Sequence, residues 1–144
     1  MKYKLQITIN RPIDRVVEFF EDPNHMKEWQ QEMSGYDVIS GVSGRVGLKL
    51  NLMYELVDHQ EVVTYTLIGK EPMSSLTILL EQSDNKTTQI NNFEKIDDNA
   101  TKLTQKCSVR FVGLKSLVGF ISIGSKKSRS LRHLESFKNL LERI

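Results

Sequence analysis

The residues of this chain that could do chemistry are three histidines, one cysteine and two amides set within apolar alternation. His25, His59 and His133 fall in different stretches, and no pair has metal-ligand spacing, so no zinc site is expected. His59, in Asp58-His59-Gln60, reads as a solvated turn residue, and His25, near a helix entry, is the one acid–base candidate of the three. Cys107 stands alone, which excludes a disulfide or a cysteine-rich metal site within these residues. With no base near it in sequence, it reads as a small buried hydrophobe. Ile121-Ser122-Ile123-Gly124 lacks the first glycine of a nucleophile elbow, since position 120 is Phe. Gly41, Gly44 and Gly47 lead into a strand with no Lys-Ser/Thr pair, so they make no phosphate loop. No catalytic residue is assigned, and no metal or cofactor is expected.

The sharper clues are polar residues at inward strand positions. Asn91 alternates with Gln89 and Phe93, and Gln105 with Leu103, Cys107 and Val109. A buried amide without a partner costs roughly 1–3 kcal/mol. A ligand or trapped water offsets that cost, as does a strand near a sheet edge that lets the side chain reach solvent.

These residues depend on the elements that carry them. Tyr3, Leu5, Ile7 and Ile9 alternate with polar residues and read as a strand. Pro12 presets a helix over 12–21, with Asp14 in its first turn and Ile13, Val16, Val17 and Phe20 on one side. A second short helix, over 24–32, carries Met26, Trp29 and Met33. From Gly35 onward, short alternating runs separated by turn residues give the rhythm of an antiparallel sheet. The clearest strand places Val46, Leu48, Leu50, Leu52, Tyr54 and Leu56 on one face; further strands span 62–69, 75–82, 87–96 and 101–111. From 113 to 144 the pattern is helical, with one stripe of Leu131, Leu134, Phe137, Leu141 and Ile144 and another of Leu114, Leu117, Val118 and Ile121. A sheet with one apolar face must cover it, and only the terminal helix is long enough to do so.

Residues 1–144 fit one domain, because two cores would leave both halves marginal. A net charge of +2 implies no nucleic acid by itself, and the basic cluster Lys126, Lys127, Arg129, Arg132 and His133 has no interleaved aromatics. That cluster reads as a solvated helix face or as a transient contact with an anionic membrane surface. The first residues show no apolar signal core, and a cytoplasmic protein is the default expectation.

The order of elements resembles the helix-grip fold of the SRPBCC superfamily, which includes START lipid-transfer domains, birch-pollen-allergen proteins and bacterial polyketide cyclase/dehydrase-like proteins. The matching residues are Ile7-x-Ile9-x-x-Pro12-x-x-x-Val16-x-x-Phe19, Asp22 and Trp29, Gly44-x-x-Gly47, Asn99-Ala100-Thr101-x-Leu103, and Phe111-x-Gly113. The resemblance implies an α+β domain. A curved antiparallel sheet of about seven strands would wrap a long C-terminal helix, with two short helices after the first strand. It also implies a cavity for a lipid, polyketide, isoprenoid or similar molecule.

The small residues Gly124, Ser125 and Ser128 are expected to leave space against the sheet; close sheet–helix contact without a void, or a broken helix, is the alternative. The expected ligand contacts are Trp29, Met33, Leu50, Leu52, Tyr54, Tyr65, Leu67, Asn91, Phe93, Gln105, Cys107, Leu117, Ile121, Gly124, Ser125 and Ser128. Met26, Leu48, Val63 and Val109 belong to the same surface. Three functions remain open: a carrier or sensor of a hydrophobic molecule, a polyketide cyclase or dehydratase-like enzyme, and a protein-interaction module of the chaperone-activator type. The absence of a visible buried Asp/Glu–His pair argues against the enzyme.

Overall fold

Alternation over the first residues produces β1 (Lys2–Ile9), which buries Leu5 and Ile9 and turns Lys4 and Gln6 outward. The computed structural model describes residues 1–144, except for the side chains of Lys115, Val118, Phe120 and Ile121. Pro12 precedes α1 (Ile13–Glu21), whose inner side is Val16, Val17 and Phe20. Asp22 accepts a hydrogen bond from the Asn24 amide and starts a 3-10 turn over Pro23–His25. α2 (Met26–Trp29) follows and buries Met26 and Trp29.

The second helix is shorter than its sequence implies. Gln30 turns extended, and β2 (Met33–Ser40) already begins where helix was expected to end. Tertiary partners decide this: the Tyr54 hydroxyl donates to Gln30 Oε1 at 2.6 Å, and Met33 pairs with Tyr54 across strands. These interactions hold the chain out of the helix that local propensity favours.

β3 (Lys49–Glu55), β4 (Gln60–Glu71), β5 (Ser75–Glu81), β6 (Asn85–Asp97) and β7 (Ala100–Phe111) complete a seven-stranded antiparallel sheet in the order β1-β7-β6-β5-β4-β3-β2. Gly41 is fixed at the turn after β2. Its φ is +89°, and a Cβ there would meet the Gly47 carbonyl oxygen at 2.7 Å. The inner sheet face carries Leu50, Leu52, Leu67, Leu76, Phe93 and Leu103, all buried.

α3 (Lys115–Arg143) lies against β1, β7 and α2. Leu134, Phe137 and Leu141 bury its C-terminal half. Phe20, Trp29 and Phe137 form an aromatic cluster with centroids 5.1–5.4 Å apart, and each such pair contributes about 0.5–1.5 kcal/mol beyond area burial. Arg11 holds the far end of α3, donating to the Glu142 carbonyl at 2.6 Å.

Candidate functional site

Sheet and α3 do not meet everywhere. Between them lies a cavity of about 150 Å³, the order of size that accepts one benzene ring when apolar. Its apolar wall includes Phe20 from α1, Met26 and Trp29 from α2, Leu52 and Tyr54 from β3, and Val63 and Tyr65 from β4. Lys126, Arg129, Ser130, His133 and Leu134 of α3 face it from the other side.

Of the residues expected from sequence, Trp29, Leu52, Tyr54, Tyr65 and Gln105 line this space together with Met26 and Val63. Met33, Leu48, Leu50, Leu67, Phe93, Cys107 and Val109 are buried but do not line it. Burial pushes the Cys107 thiol above its usual value, as expected of an inert buried sulfur. The Ile121 side chain lies outside the described residues.

Four expectations need correction. Leu117 is 74% exposed, and Gly124, Ser125 and Ser128 are exposed as well. Helical phase explains this. At about 100° per residue, Gly124 and Ser128 fall on the side of α3 opposite Lys126, Ser130 and His133, and Ser125 falls off the inward face. A Cβ added at Gly124 would meet nothing within 4 Å. The cavity therefore owes nothing to these small residues; it opens where α3 presents long polar side chains to the sheet.

Asn91 and Gln105 satisfy each other. Gln105 Nε2 donates to Asn91 Oδ1 at 2.9 Å, and Asn91 Nδ2 reaches Gln89 Oε1 at 3.0 Å and the Leu76 carbonyl at 3.3 Å. Asn91 is wholly buried behind Gln105 and Gln89, which reach the cavity. The burial cost of these amides is met by the protein itself.

Sequence reasoning missed the polar constellation on α3. His133, counted there only as part of a basic cluster, is inward-facing, and its Nε2 lies 2.7 Å from Glu32 Oε2. This is the carboxylate–histidine pair that could not be seen in the sequence, its partners lying 101 residues apart. Burial lowers the His133 pKa more than the Glu32 hydrogen bond raises it, so the imidazole is neutral at pH 7 and donates Nε2–H to Glu32. Burial alone would raise Glu32, but hydrogen bonds from His133, its own backbone amide and Arg132 bring it down to about 2.

Arg129 pairs with Glu61 at 3.1 Å and lies over the Tyr54 ring, 4.8 Å from its centroid. Burial raises the Tyr54 and Tyr65 hydroxyls, so both stay protonated. The basic cluster is thus divided: Lys126 and Arg129 face the cavity, Arg132 pairs with Glu32 at 3.2 Å, and Lys127 points to solvent. One signal was available in the sequence. Phasing the helix from Phe137 puts His133, Ser130 and Lys126 on its inward face.

His25 is partly exposed, stacks on Phe19 at 3.9 Å and lies 3.1 Å from Glu28; it does not line the cavity. Among the described residues no three His, Cys, Asp or Glu side chains converge on a metal position, and no helix is long and apolar enough to cross a membrane.

A curved seven-stranded antiparallel sheet, two short helices after β1 and a long C-terminal helix over a cavity constitute the helix-grip fold. The likeness extends to solved structures across the whole chain. The Zhui aromatase/cyclase from Streptomyces sp. R1128 superposes with a TM-score of 0.84 at 11% identity, covering 99% of this chain and 94% of that one. Ara h 8.0201 gives 0.80 at 9% identity, with 100% and 99% covered. A START superfamily protein from Mycobacterium smegmatis gives 0.77 at 14% identity, with 97% and 98% covered. No family model and no curated protein matches the sequence. At these identities the likeness is one of fold, and it agrees with the architecture that the SRPBCC resemblance implies.

Proposed function

We propose that this protein holds a small, largely apolar molecule in the cavity between sheet and α3, for carriage or sensing. The observation that carries the reading is unfilled interior space walled by Phe20, Met26, Trp29, Leu52, Val63 and Tyr65. Protein interiors are ordinarily packed to crystal density, so such space is where a guest gains dispersion contacts and sheds water. Burying about 200 Å² of apolar ligand surface is worth roughly 5 kcal/mol before association costs. Micromolar binding therefore needs polar contacts as well.

The test is to fill the space. Val63→Phe, on the cavity wall, is expected to lower affinity for a displaceable fluorescent probe such as 1-anilinonaphthalene-8-sulfonate by about tenfold or more while changing stability by less than about 2 kcal/mol. Unchanged binding in a folded variant would remove the cavity as the site.

The Glu32–His133 pair supports a second reading, proton transfer on a bound substrate of the polyketide cyclase or dehydratase kind. With Nε2–H held by Glu32, Nδ1 is the ring's proton acceptor. Turnover of an activated polyketide mimic that disappears in His133→Gln would support it. Loading from an anionic membrane is a third element of the proposal, resting on Lys127 and the exposed Leu114 and Leu117. Co-sedimentation with phosphatidylserine vesicles tests that contact.

A further inference from the structure

The charges around the cavity do not cancel. Glu61 and Arg129 neutralise each other at 3.1 Å, and Glu32 is matched by Arg132 and the His133 hydrogen bond. Lys126 remains. Its side chain lines the cavity, and among the described residues it makes no ion pair; its one hydrogen bond, to Asn85 Oδ1, is long at 3.3 Å. An ammonium has three donors, so at least two are unspent. Burial lowers the Lys126 pKa, Arg129 lowers it further, and the raising effects of Glu61 and Asp84 do not offset them, so the site as it stands disfavours the charge.

A second unspent donor lines the same space. The Trp29 indole Nε1–H is buried and has no acceptor among the described residues, and Trp29 as a whole is only 5% exposed. Leaving such a donor unmet costs about 1–3 kcal/mol. The lining thus has donors to spare and a single uncompensated positive charge, so a complementary guest is rich in acceptors and carries one negative charge.

Building on the cavity-binding reading, we propose that the guest is an amphiphilic carboxylic acid whose carboxylate is held by Lys126 and whose apolar body lies against Trp29 and Phe20. A carboxylate matches one unpaired cation, whereas a phosphate monoester, at about −1.5 to −2, would bring charge with no partner. The reach is also set. Lys126 lies seven residues before His133, about 10 Å along the helix, and the His133 ring is 6.5 Å from Trp29. A ring on a three- or four-carbon acid chain spans that distance, with the ring in the cavity of about 150 Å³ and the chain directed at Lys126.

The experiment uses two probes with one carbon skeleton, 4-phenylbutyrate and 4-phenylbutan-1-ol, titrated at pH 7 by calorimetry and by the fluorescence of Trp29, the only tryptophan in the chain. The wild type is expected to bind the acid at least about tenfold more tightly than the alcohol. In Lys126→Met the acid is expected to lose about tenfold or more while the alcohol stays within about twofold, and Lys126→Arg should retain the preference. Equal affinity for the two probes, or a preference for the acid that survives in Lys126→Met, overturns the anion inference and leaves the cavity reading standing. Neither probe binding at millimolar concentration, with circular dichroism reporting a folded protein, overturns both.

Discussion

Among the described side chains, the two apolar stripes of the C-terminal segment look alike in sequence and lie oppositely in the fold. Leu134, Phe137 and Leu141 are at most 1% exposed, whereas Leu114 and Leu117 are 86% and 74% exposed. Both stripes have helical spacing. They differ in phase: Leu117 and Phe137 are about five and a half turns apart at 3.6 residues per turn, which sets them on nearly opposite sides of one cylinder. Periodicity within a window identifies a helix, but only phase carried along the whole helix tells which stripe the sheet can grip. The stretch between them then faces the sheet with Lys126, Arg129, Ser130 and His133, and there the cavity opens.

Phe137 carries the largest expected effect. Phe137→Ala removes a fully buried ring from contact with Phe20 and Trp29, and is expected to cost about 3–5 kcal/mol in urea-induced unfolding. A loss below about 1 kcal/mol would mean that the gripped stripe is not the anchor.

Acid sharpens the contrast at the polar stretch. The folded pKa of His133 lies below 6.5, so the unfolded chain binds the proton more readily and stability declines as pH falls below about 6.5. Glu32, at about 2 folded against 4.5 ordinarily, contributes stability that is fully present above about 4.5 and is lost as pH falls toward 2. Solvent screening of this partly exposed pair leaves on the order of 1 kcal/mol. Thermal melts of Glu32→Gln across pH 2–7 are expected to lose the lower limb; an unchanged pH profile would dissociate Glu32 from it. The smallest effect belongs to the other stripe. Leu117→Ser is expected to shift stability by no more than about 0.5 kcal/mol, and a larger loss in chemical denaturation would show that Leu117 is covered in solution.

The succession of strands and helices along the chain was legible because alternation and turn residues are local signals; β7 (Ala100–Phe111) and α1 (Ile13–Glu21) fall within a residue of their sequence-based bounds. The end of α2 was not legible. Gln30 answers to Tyr54, a residue of β3, and no window around Gln30 contains it. In the site, the wall residues Leu52, Tyr54 and Tyr65 follow from strand alternation. The Glu32–His133 and Glu61–Arg129 pairs join residues from distant elements, so no spacing rule reaches them. The amides at Asn91 and Gln105 drew attention for a sound reason, their burial, but two such amides on adjacent strands solve the problem together, since Asn91 and Gln105 are cross-strand partners.

The strand order has a consequence for how the chain comes to be folded. β1 finds its strand neighbour in β7, with Lys2 opposite Ser108, so β1 must wait for the last strand of the sheet. Long-range pairing of this kind is slow, because a large loop must close before any contact repays the lost chain entropy. During synthesis β2 to β6 can pair in succession as simple hairpins, while the N-terminal strand stays unpaired until β7 emerges. A chaperone that shields the first ten residues during that interval would therefore raise the yield of folded protein more than one acting on any of the middle strands.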